Sequence, residues 1–212
     1  MTIADIRKDY LSRSLSEADV AADPLQQFDG WWNEALRSEI VEPNAMTLAT
    51  ASSDGFPSAR IVLLKGYDDK GFVFFTNYNS YKGNQLEENP KACLVFFWKE
   101  LERQVRITGI VQKVSNGVSD AYFKSRPLGS QMGALVSPQS QVIESRGWLE
   151  KKYDEFSAGK KEADIQRPAY WGGYAVKPVI VEFWQGRKSR LHDRIQYTLE
   201  ENGAWKIERL AP

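Results

Sequence analysis

The chain has 212 residues, of which 42% are hydrophobic and 26% charged, a composition that fits one globular domain or at most two small ones and excludes a fibrous or disordered protein. Lysine and arginine total 28, and aspartate and glutamate also total 28, so the net charge is zero and no overall field favours nucleic acid or an anionic membrane. One cysteine and one histidine exclude a disulfide framework, a zinc site built from several such residues and a redox pair of cysteines.

The first helix is predicted to follow a polar N-terminal arm. Residues 1–22 are weakly patterned, which indicates a mobile arm with one helical turn around residues 3–11, followed by a single domain over residues 23–212. Asp23 before Pro24 indicates a helix start, because Asp can accept from free N–H groups and Pro needs no N–H at the first helical position. The helix ends near Pro43, and its apolar stripe consists of Leu25, Phe28, Trp32, Leu36 and Ile40.

Most of the remaining chain predicts strands separated by short turns. The β-branched and aromatic runs place strands at residues 46–51, 59–65, 72–76, 92–98, 103–114, 179–184, 194–199 and 205–210, with a bend at Gly109. Helices are predicted at residues 80–88, 115–124 and 145–156. Short turns without regular alternation of strand and helix favour a mainly β fold, an antiparallel barrel with flanking helices.

Phosphate-binding glycine loops are missing from the sequence, which contains neither G-x-G-x-x-G after a strand nor G-x-x-x-x-G-K-[ST]. Cationic and hydroxyl side chains would therefore have to bind any phosphate. Aromatic residues make up 12% of the chain, which fits either a tryptophan-rich core or a surface that grips a flat ligand.

Four segments combine such side chains. Arg60 and Lys65 flank an apolar strand, where alternation predicts that they leave opposite faces, either into water or toward two points of a ligand. Residues 77–82 offer amides, hydroxyls and Lys82 at a helix start, which suits a phosphate or a solvated N-cap equally. Tyr122, Arg126 and Ser130 recur at four-residue spacing and would make a second phosphate site.

The fourth segment holds the only histidine among basic residues. If residues 190–194 are extended, Arg190, His192 and Arg194 lie on one face and can line a cavity. Closely spaced cations repel one another, so they indicate an anionic ligand or ion pairs with carboxylates. The alternative is a solvated basic loop that binds nucleic acid.

Six sequence blocks, in order along nearly the whole chain, resemble the pyridoxine (pyridoxamine) 5′-phosphate oxidase family. They are Arg60-Ile61-Val62-Leu63-Leu64-Lys65, Leu101-Glu102-Arg103-Gln104-Val105, the segment from Tyr122 to Gln131, Phe183-Trp184-Gln185-Gly186, Arg190-Leu191-His192-Asp193-Arg194 and the ending from Trp205 to Pro212. The resemblance implies a homodimeric FMN enzyme on an FMN-binding split barrel, with each flavin held between subunits. It further implies oxidation of pyridoxine 5′-phosphate or pyridoxamine 5′-phosphate to pyridoxal 5′-phosphate, with hydride passing to FMN and electrons to O2 to give hydrogen peroxide.

The resemblance also assigns residues. FMN contacts are implied for Arg60, Ile61, Val62, Leu63, Leu64, Lys65, Phe75, Thr76, Tyr81, Lys82, Gln104, Gln139, Ser140, Trp184 and Arg194. Substrate contacts are implied for Lys65, Tyr122, Arg126 and Ser130 at the phosphate, for Arg190, Leu191 and His192 at the ring, and for the arm residues Arg7, Lys8, Asp9 and Tyr10. Arg190 and His192 are the implied catalytic residues. The sequence departs from the family at Tyr81, where a basic residue is common, and at Phe75, where Tyr is frequent.

Two other functions remain open on the residues alone: a flavin- or haem-binding barrel without oxidase activity, and nucleic-acid binding through residues 187–194. We expect no metal, no membrane and no nucleic-acid partner. The longest apolar run, residues 93–98, is too short to span a bilayer, and the first ten residues lack the apolar stretch of a secretory signal, so the cytoplasm is the expected compartment.

Overall fold

The protein is described here from a computed structural model that covers residues 2–5, 10 and 13–212. Three arm residues of the implied substrate site, Arg7, Lys8 and Asp9, lie outside the described residues. None of the helices formed by the described residues is both long and apolar enough to cross a membrane.

In the part of the chain that the structure describes, nine antiparallel strands form one curled sheet, in which β2, β1, β5, β6, β7, β4 and β3 follow one another in that order. Strand β8 pairs with β7, and β9 pairs with β8. The strands are β1 Ala45–Ala51, β2 Pro57–Leu63, β3 Gly66–Asp68, β4 Gly71–Asn77, β5 Lys91–Trp98, β6 Arg103–Lys113, β7 Trp171–Gln185, β8 Asp193–Leu199 and β9 Trp205–Arg209. This architecture confirms the predicted antiparallel barrel with flanking helices.

The two end strands of the sheet, β2 and β3, are neighbours in the chain. Strand β3 begins three residues after β2 ends, and the Lys65 N–H between them donates to the Val73 carbonyl at 2.8 Å. Strand β7 then divides the molecule, since its first half pairs with β4 and its second half with β8, while β6 runs along both. The pairing of β6 and β7 shifts between Thr108 and Gly109, where a Cβ on Gly109 would lie 2.1 Å from the Lys177 carbonyl oxygen. The bend predicted at Gly109 is therefore confirmed.

The described residues form five α-helices that flank the sheet: α1 Pro24–Arg37, α2 Tyr81–Glu88, α3 Asn116–Ser125, α4 Leu128–Val136 and α5 Arg146–Ser157. Four of them have a polar N-cap, Asp23, Ser80, Ser115 or Ser145, whose side chain accepts from a free N–H of the first turn, and the start predicted at Asp23 is thereby confirmed. Helix α1 covers one open end of the barrel with Phe28, Trp31 and Ala35 buried. Leu36, which the sequence placed in the apolar stripe, is instead 54% exposed.

Helices α3, α4 and α5 pack into a second, smaller core beside β4 and the start of β7. Its buried residues are Phe123, Met132, Ile165 and Trp171. The sequence did not predict α4, because Pro127 and Gly129 indicated a turn, whereas Pro127 caps the helix. It also missed the first half of β7, where two glycines and Pro178 disfavour a strand. This second core places α3 next to β4, and the candidate site lies between them.

Candidate active site

A cleft of about 320 Å³ opens between β2, β4 and α3. Its lining residues are Arg60, Ile61, Val62, Leu63, Lys65, Phe75, Thr76, Lys82, Tyr122, Arg126, Gln139 and Trp171. Four of these are cations and none is a carboxylate. In a chain of zero net charge, such a cleft favours a ligand that carries more than one negative charge. We call it the cationic cleft.

Arg60 and Lys65 lie on the same cleft, so the prediction that they leave opposite faces is wrong. Strand β2 ends at Leu63, and the strict alternation of side chains ends with it. Leu64 lies just beyond the end of β2 and is 5% exposed in the main core, so its side chain does not reach the cleft.

One end of the cleft is built from β2, β4 and the start of α2. The Lys82 ammonium donates to Thr76 Oγ1 at 3.2 Å and to Gln139 Oε1 at 3.3 Å, and the Thr76 hydroxyl donates to the same Gln139 oxygen at 3.2 Å. Arg60 is anchored on β1, where Nη1 donates to Thr50 Oγ1 at 2.6 Å and to the Leu48 carbonyl at 3.2 Å. Two cations and a hydroxyl thus converge where α2 presents its N-terminus.

These two cations are costly without an anion. Burial lowers the pKa of Arg60, and burial together with the nearby Arg60 charge lowers the pKa of Lys82. Within the described part of the chain neither side chain forms an ion pair. A phosphate at this end would offset the desolvation of both.

The other end of the cleft combines aromatic rings with two further cations. The Phe75 and Tyr122 rings stack at 3.9 Å between centroids, and Trp171 lies parallel to Phe75 at 5.6 Å. The Arg126 guanidinium lies over the Trp171 ring at 4.7 Å, and the Lys65 ammonium lies 5.9 Å from the Tyr122 centroid. Phe75, where the family often has Tyr, thus forms the floor between the two ends.

The backbone of Arg126 is held in place by a hydrogen bond, whereas its side chain has a nitrogen without a hydrogen-bond partner among the described residues. Its carbonyl accepts from Gln131 Nε2 at 2.8 Å, which fixes the turn between α3 and α4. Its Nη1 is buried and has no hydrogen-bond partner among the described residues, and burial lowers the pKa of the guanidinium. An unpaired buried donor costs about 1–3 kcal/mol and more when it is charged, so this atom calls for an acceptor from outside the chain. A phosphate oxygen fits that requirement.

Trp171 is the cleft residue that sequence reasoning missed. The feature of the sequence that could have identified Trp171 is the glycine pair after it, Gly172-Gly173. Both glycines are required by close neighbours and not by a turn. A Cβ on Gly172 would lie 2.2 Å from the Tyr78 hydroxyl, and one on Gly173 would lie 2.8 Å from the Phe75 ring. The glycine pair therefore lets the cleft rings pack on the start of β7.

A second group of predicted residues lies near the end of β7, in what we call the ring cluster: Tyr10, Trp184 and His192. The Trp184 and His192 rings are 4.6 Å apart, and Tyr10 lies 5.7 Å from Trp184 and 5.9 Å from His192. The Arg187 backbone N–H donates to His192 Nδ1 at 3.0 Å, so a neutral His192 carries its proton on Nε2. Burial, and then the neighbouring Arg190 charge, lower the pKa of His192.

The loop before His192 is not extended, which corrects the prediction that residues 190, 192 and 194 alternate on one face. Lys188–Arg190 forms a 3-10 turn, with φ of 56° at Ser189 and 61° at Arg190. Left-handed backbone at two successive non-glycine residues is strained and marks functional loops. Arg190 and Leu191 are exposed, and Leu191 is 69% so.

Arg194 and Gln104 are tied into the sheet beside Trp184. Arg194 donates to both oxygens of Glu182 at 2.8 and 3.1 Å, and this hydrogen bonding raises the pKa of Arg194. Gln104 is half-buried and pairs with Trp184 across β6 and β7. The remaining predicted contacts do not line the cleft; these are Tyr81, Ser130 and Ser140, which are exposed.

The cationic cleft and the ring cluster lie toward opposite ends of β7. Trp171 begins this strand of 15 residues and Trp184 is the last residue but one. At about 3.3 Å per residue the strand would span up to roughly 45 Å. The described residues that line the cleft include none of the ring cluster, so one copy of the chain does not bring the two groups together.

Comparisons with known proteins agree with this geometry. The family described as pyridoxamine 5′-phosphate oxidase matches residues 32–158, and a pyridoxine 5′-phosphate oxidase C-terminal dimerisation region matches residues 171–212. The pyridoxine/pyridoxamine 5′-phosphate oxidases of Trichormus variabilis and Cupriavidus pinatubonensis are 57% and 56% identical to the chain. The first comparison covers 100% of this chain and 99% of the relative, and the second covers 99% of each.

Solved structures give the same fold. A crystal structure of PhzG from Burkholderia lata, in complex with tetrahydrophenazine-1-carboxylic acid, superposes with a TM-score of 0.87 at 30% identity, over 93% of this chain and 98% of that one. A pyridoxamine 5′-phosphate oxidase-related FMN-binding protein from Nostoc punctiforme has a TM-score of 0.72 at 18% identity, over 91% and 100% of the two chains, which shows the fold alone. By the family matches and full-length identity, the chain belongs to the pyridoxine/pyridoxamine 5′-phosphate oxidase family of FMN-dependent oxidases.

Proposed function

We propose that the cationic cleft holds FMN and the phosphate of the substrate, and that the ring cluster of a second copy completes the site for oxidation of pyridoxine 5′-phosphate or pyridoxamine 5′-phosphate to pyridoxal 5′-phosphate. The observation that carries this proposal is the cleft, which the described residues line with four cations and no carboxylate and in which they leave the buried Arg126 Nη1 without a hydrogen-bond partner. Its two cationic ends match the two phosphates that FMN and a phosphorylated substrate bring. The full-length identity of 57% to an oxidase of this activity supports the same reaction.

The end of the cleft at Arg60, Thr76 and Lys82 would hold the FMN phosphate. When bound, FMN accepts a hydride from the substrate and passes the electrons to O2, which yields hydrogen peroxide. The residues of the chain bind FMN and the substrate and orient them toward each other. Arg60 is pre-oriented by β1, and the ammonium of Lys82 is already aimed at hydroxyl and amide oxygens. Little side-chain entropy remains to be lost on binding.

The end at Arg126 would hold the substrate phosphate. A guanidinium can bind phosphate through two parallel N–H groups, and Lys65 and the Tyr122 hydroxyl add a charge and a donor nearby. This contact fixes one end of the substrate and leaves the pyridine ring to be oriented by other groups. Phe75 and Trp171 provide flat apolar surface beside it.

Those other groups are supplied by the ring cluster of the second copy. The C-terminal segment that matches the dimerisation region, residues 171–212, carries Trp184, Arg190 and His192. Arg190 places a guanidinium beside the reacting ring, where it can hold the ring so that the exocyclic carbon faces the flavin. His192, with Nδ1 already occupied, presents Nε2–H as a donor to the ring. Tyr10, on the N-terminal arm, contacts both Trp184 and His192 and completes the ring cluster.

The test is to purify the protein and record its absorption spectrum. We expect a yellow protein that releases FMN on denaturation and forms pyridoxal 5′-phosphate and hydrogen peroxide in equal amounts from either substrate in air. A colourless protein that FMN does not reconstitute would refute the proposal. Bound flavin without peroxide would favour a carrier, and salt-dependent retention on DNA without oxidation would favour nucleic-acid binding.

We also propose a cytoplasmic location. The single cysteine, Cys93, is free and half-buried, in keeping with a reducing compartment. Fractionation of cells that express the tagged chain would test it, and recovery outside the cytoplasm would overturn it.

A further inference from the structure

The N-terminal arm is anchored to the rest of the protein through residues 13–17, which we call the clasp. Its centre is Leu15, which is 4% exposed and belongs to the main core. Charged clusters lie on both sides of this residue. The clasp is thus held by burial and by ions together, although it precedes the first long helix.

The first cluster joins the clasp to the C-terminal strands. Arg209 of β9 donates to Glu17 through Nε at 2.9 Å and Nη2 at 2.8 Å, and it donates to the Leu15 carbonyl at 3.1 Å. This hydrogen bonding lowers the pKa of Glu17 to about 2. Asp193 accepts from the Leu15 N–H at 3.1 Å and from Arg209 Nη1 at 2.9 Å.

Asp193 also links the clasp to the loop that carries the histidine. It follows His192 directly and accepts from Arg187 Nη1 at 3.3 Å, while the Arg187 N–H donates to His192. Its side chain is 18% exposed, so these three donors meet a largely buried carboxylate. One acidic residue therefore positions both the arm and the imidazole.

The second cluster joins the clasp to α1. Arg13 pairs with Glu34, and Glu34 also accepts from Arg103 at 3.0 Å. The Arg103 side chain is 5% exposed and lies over the Trp31 ring at 4.2 Å. The clasp is therefore attached to the barrel on both sides of Leu15.

Tyr10 lies three residues before the clasp, and within the ring cluster it also packs closely against the main chain at Gly186. A Cβ on Gly186 would lie 2.6 Å from Tyr10 Cγ and 2.7 Å from Tyr10 Cβ. Gly186 has no positive φ, so the glycine is required by the tyrosine and not by the backbone. Tyr10 thus rests directly on the main chain between Trp184 and the histidine loop.

We infer that the clasp is the device that sets Tyr10 over His192, and that Glu17, Asp193 and Arg209 are positioning residues for substrate binding. This inference rests on the proposed function of the ring cluster. Loss of the clasp frees the arm without removing a group that touches the substrate. It therefore weakens substrate and product binding and leaves the chemical step intact.

The experiment compares Glu17→Gln with Lys206→Gln as a matched control, since Lys206 lies on β9 and pairs with Glu208 at 2.7 Å, away from the clasp. For each holoenzyme we measure KM and kcat, the Kd for pyridoxal 5′-phosphate, and hydrogen exchange of the Leu15 amide. For Glu17→Gln we expect KM, Kd and Leu15 exchange each to rise about two- to fivefold and kcat to stay within twofold. The control should match the parent in all four.

A second pair of variants separates positioning from general destabilisation. In a Tyr10→Ala background, Glu17→Gln should raise KM no further, because both changes act through the same ring. Gly186→Ala, which displaces Tyr10 without touching the clasp, should raise KM to a similar extent while Leu15 exchange stays at the parent value.

The outcomes distinguish the two proposals. A parent that binds FMN but oxidises neither substrate refutes the proposed function, whereas the exchange and Kd measurements still judge the clasp. Faster Leu15 exchange with unchanged KM and Kd overturns the clasp as a positioning device. The clasp is also overturned as a positioning device if the rise in KM of the double variant Glu17→Gln/Tyr10→Ala equals the product of the rises in the two single variants.

Discussion

Replacing Arg126 by Met removes the cation of the substrate-phosphate end while keeping an unbranched stem over Trp171. In the ligand-free protein the guanidinium is half-buried, its Nη1 has no partner among the described residues and burial lowers its pKa. Its loss therefore leaves no buried acceptor unpaired, and we expect the Tm of the ligand-free protein to be unchanged or higher.

Substrate binding should respond in the opposite direction. A hydrogen bond to a charged group contributes about 1.5–3 kcal/mol, which corresponds to a rise in KM of roughly 10- to 150-fold. FMN content should stay at the parent level, because the FMN phosphate is assigned to Arg60 and Lys82 at the other end of the cleft. Inorganic phosphate should compete with substrate in the parent and no longer do so in the variant.

The matched control is Lys124→Met, which removes one cation from the exposed face of the same helix. Steady-state peroxide formation gives KM, and fluorescence of released flavin gives FMN content. A KM within twofold of the parent would remove Arg126 from the site. Equal losses of FMN and of substrate affinity would show that the two ends of the cleft are not separate.

Four further predictions concern the remaining site residues. Lys82→Met should weaken FMN binding at least tenfold, measured by flavin fluorescence titration, and leave KM of the residual holoenzyme within threefold, since its ammonium faces Thr76 Oγ1 and not the substrate end. Tyr81→Lys should tighten FMN binding about two- to fivefold in the same titration, a small gain because residue 81 is 56% exposed. Arg190→Met should lower kcat and kcat/KM together with flavin content preserved, and a change in KM alone would limit Arg190 to binding. His192→Asn should raise KM and keep kcat within roughly tenfold. Burial and the Arg190 charge lower the pKa of His192, so any limb of the pH profile of kcat/KM that is due to His192 lies below the ordinary histidine pKa of 6.5. That limb should disappear in the variant.

Local sequence was sufficient wherever one short-range rule decided the structure. The Asp23-Pro24 start of α1 and the bend at Gly109 each depend on backbone groups within a few residues, and both are confirmed. The antiparallel class followed from short turns between strands. The FMN and substrate assignments came from the resemblance, and the structure brings eleven of the residues so assigned to the cationic cleft.

Tertiary structure decided what depends on distant neighbours. Trp171 became a cleft residue because β7 pairs with β4, and its two glycines admit rings that come from elsewhere in the chain. Arg60 and Lys65 share a face because β2 ends between them. The attachment of the arm through Glu17, Asp193 and Arg209 arises from contacts between residues more than a hundred positions apart, which no local pattern encodes.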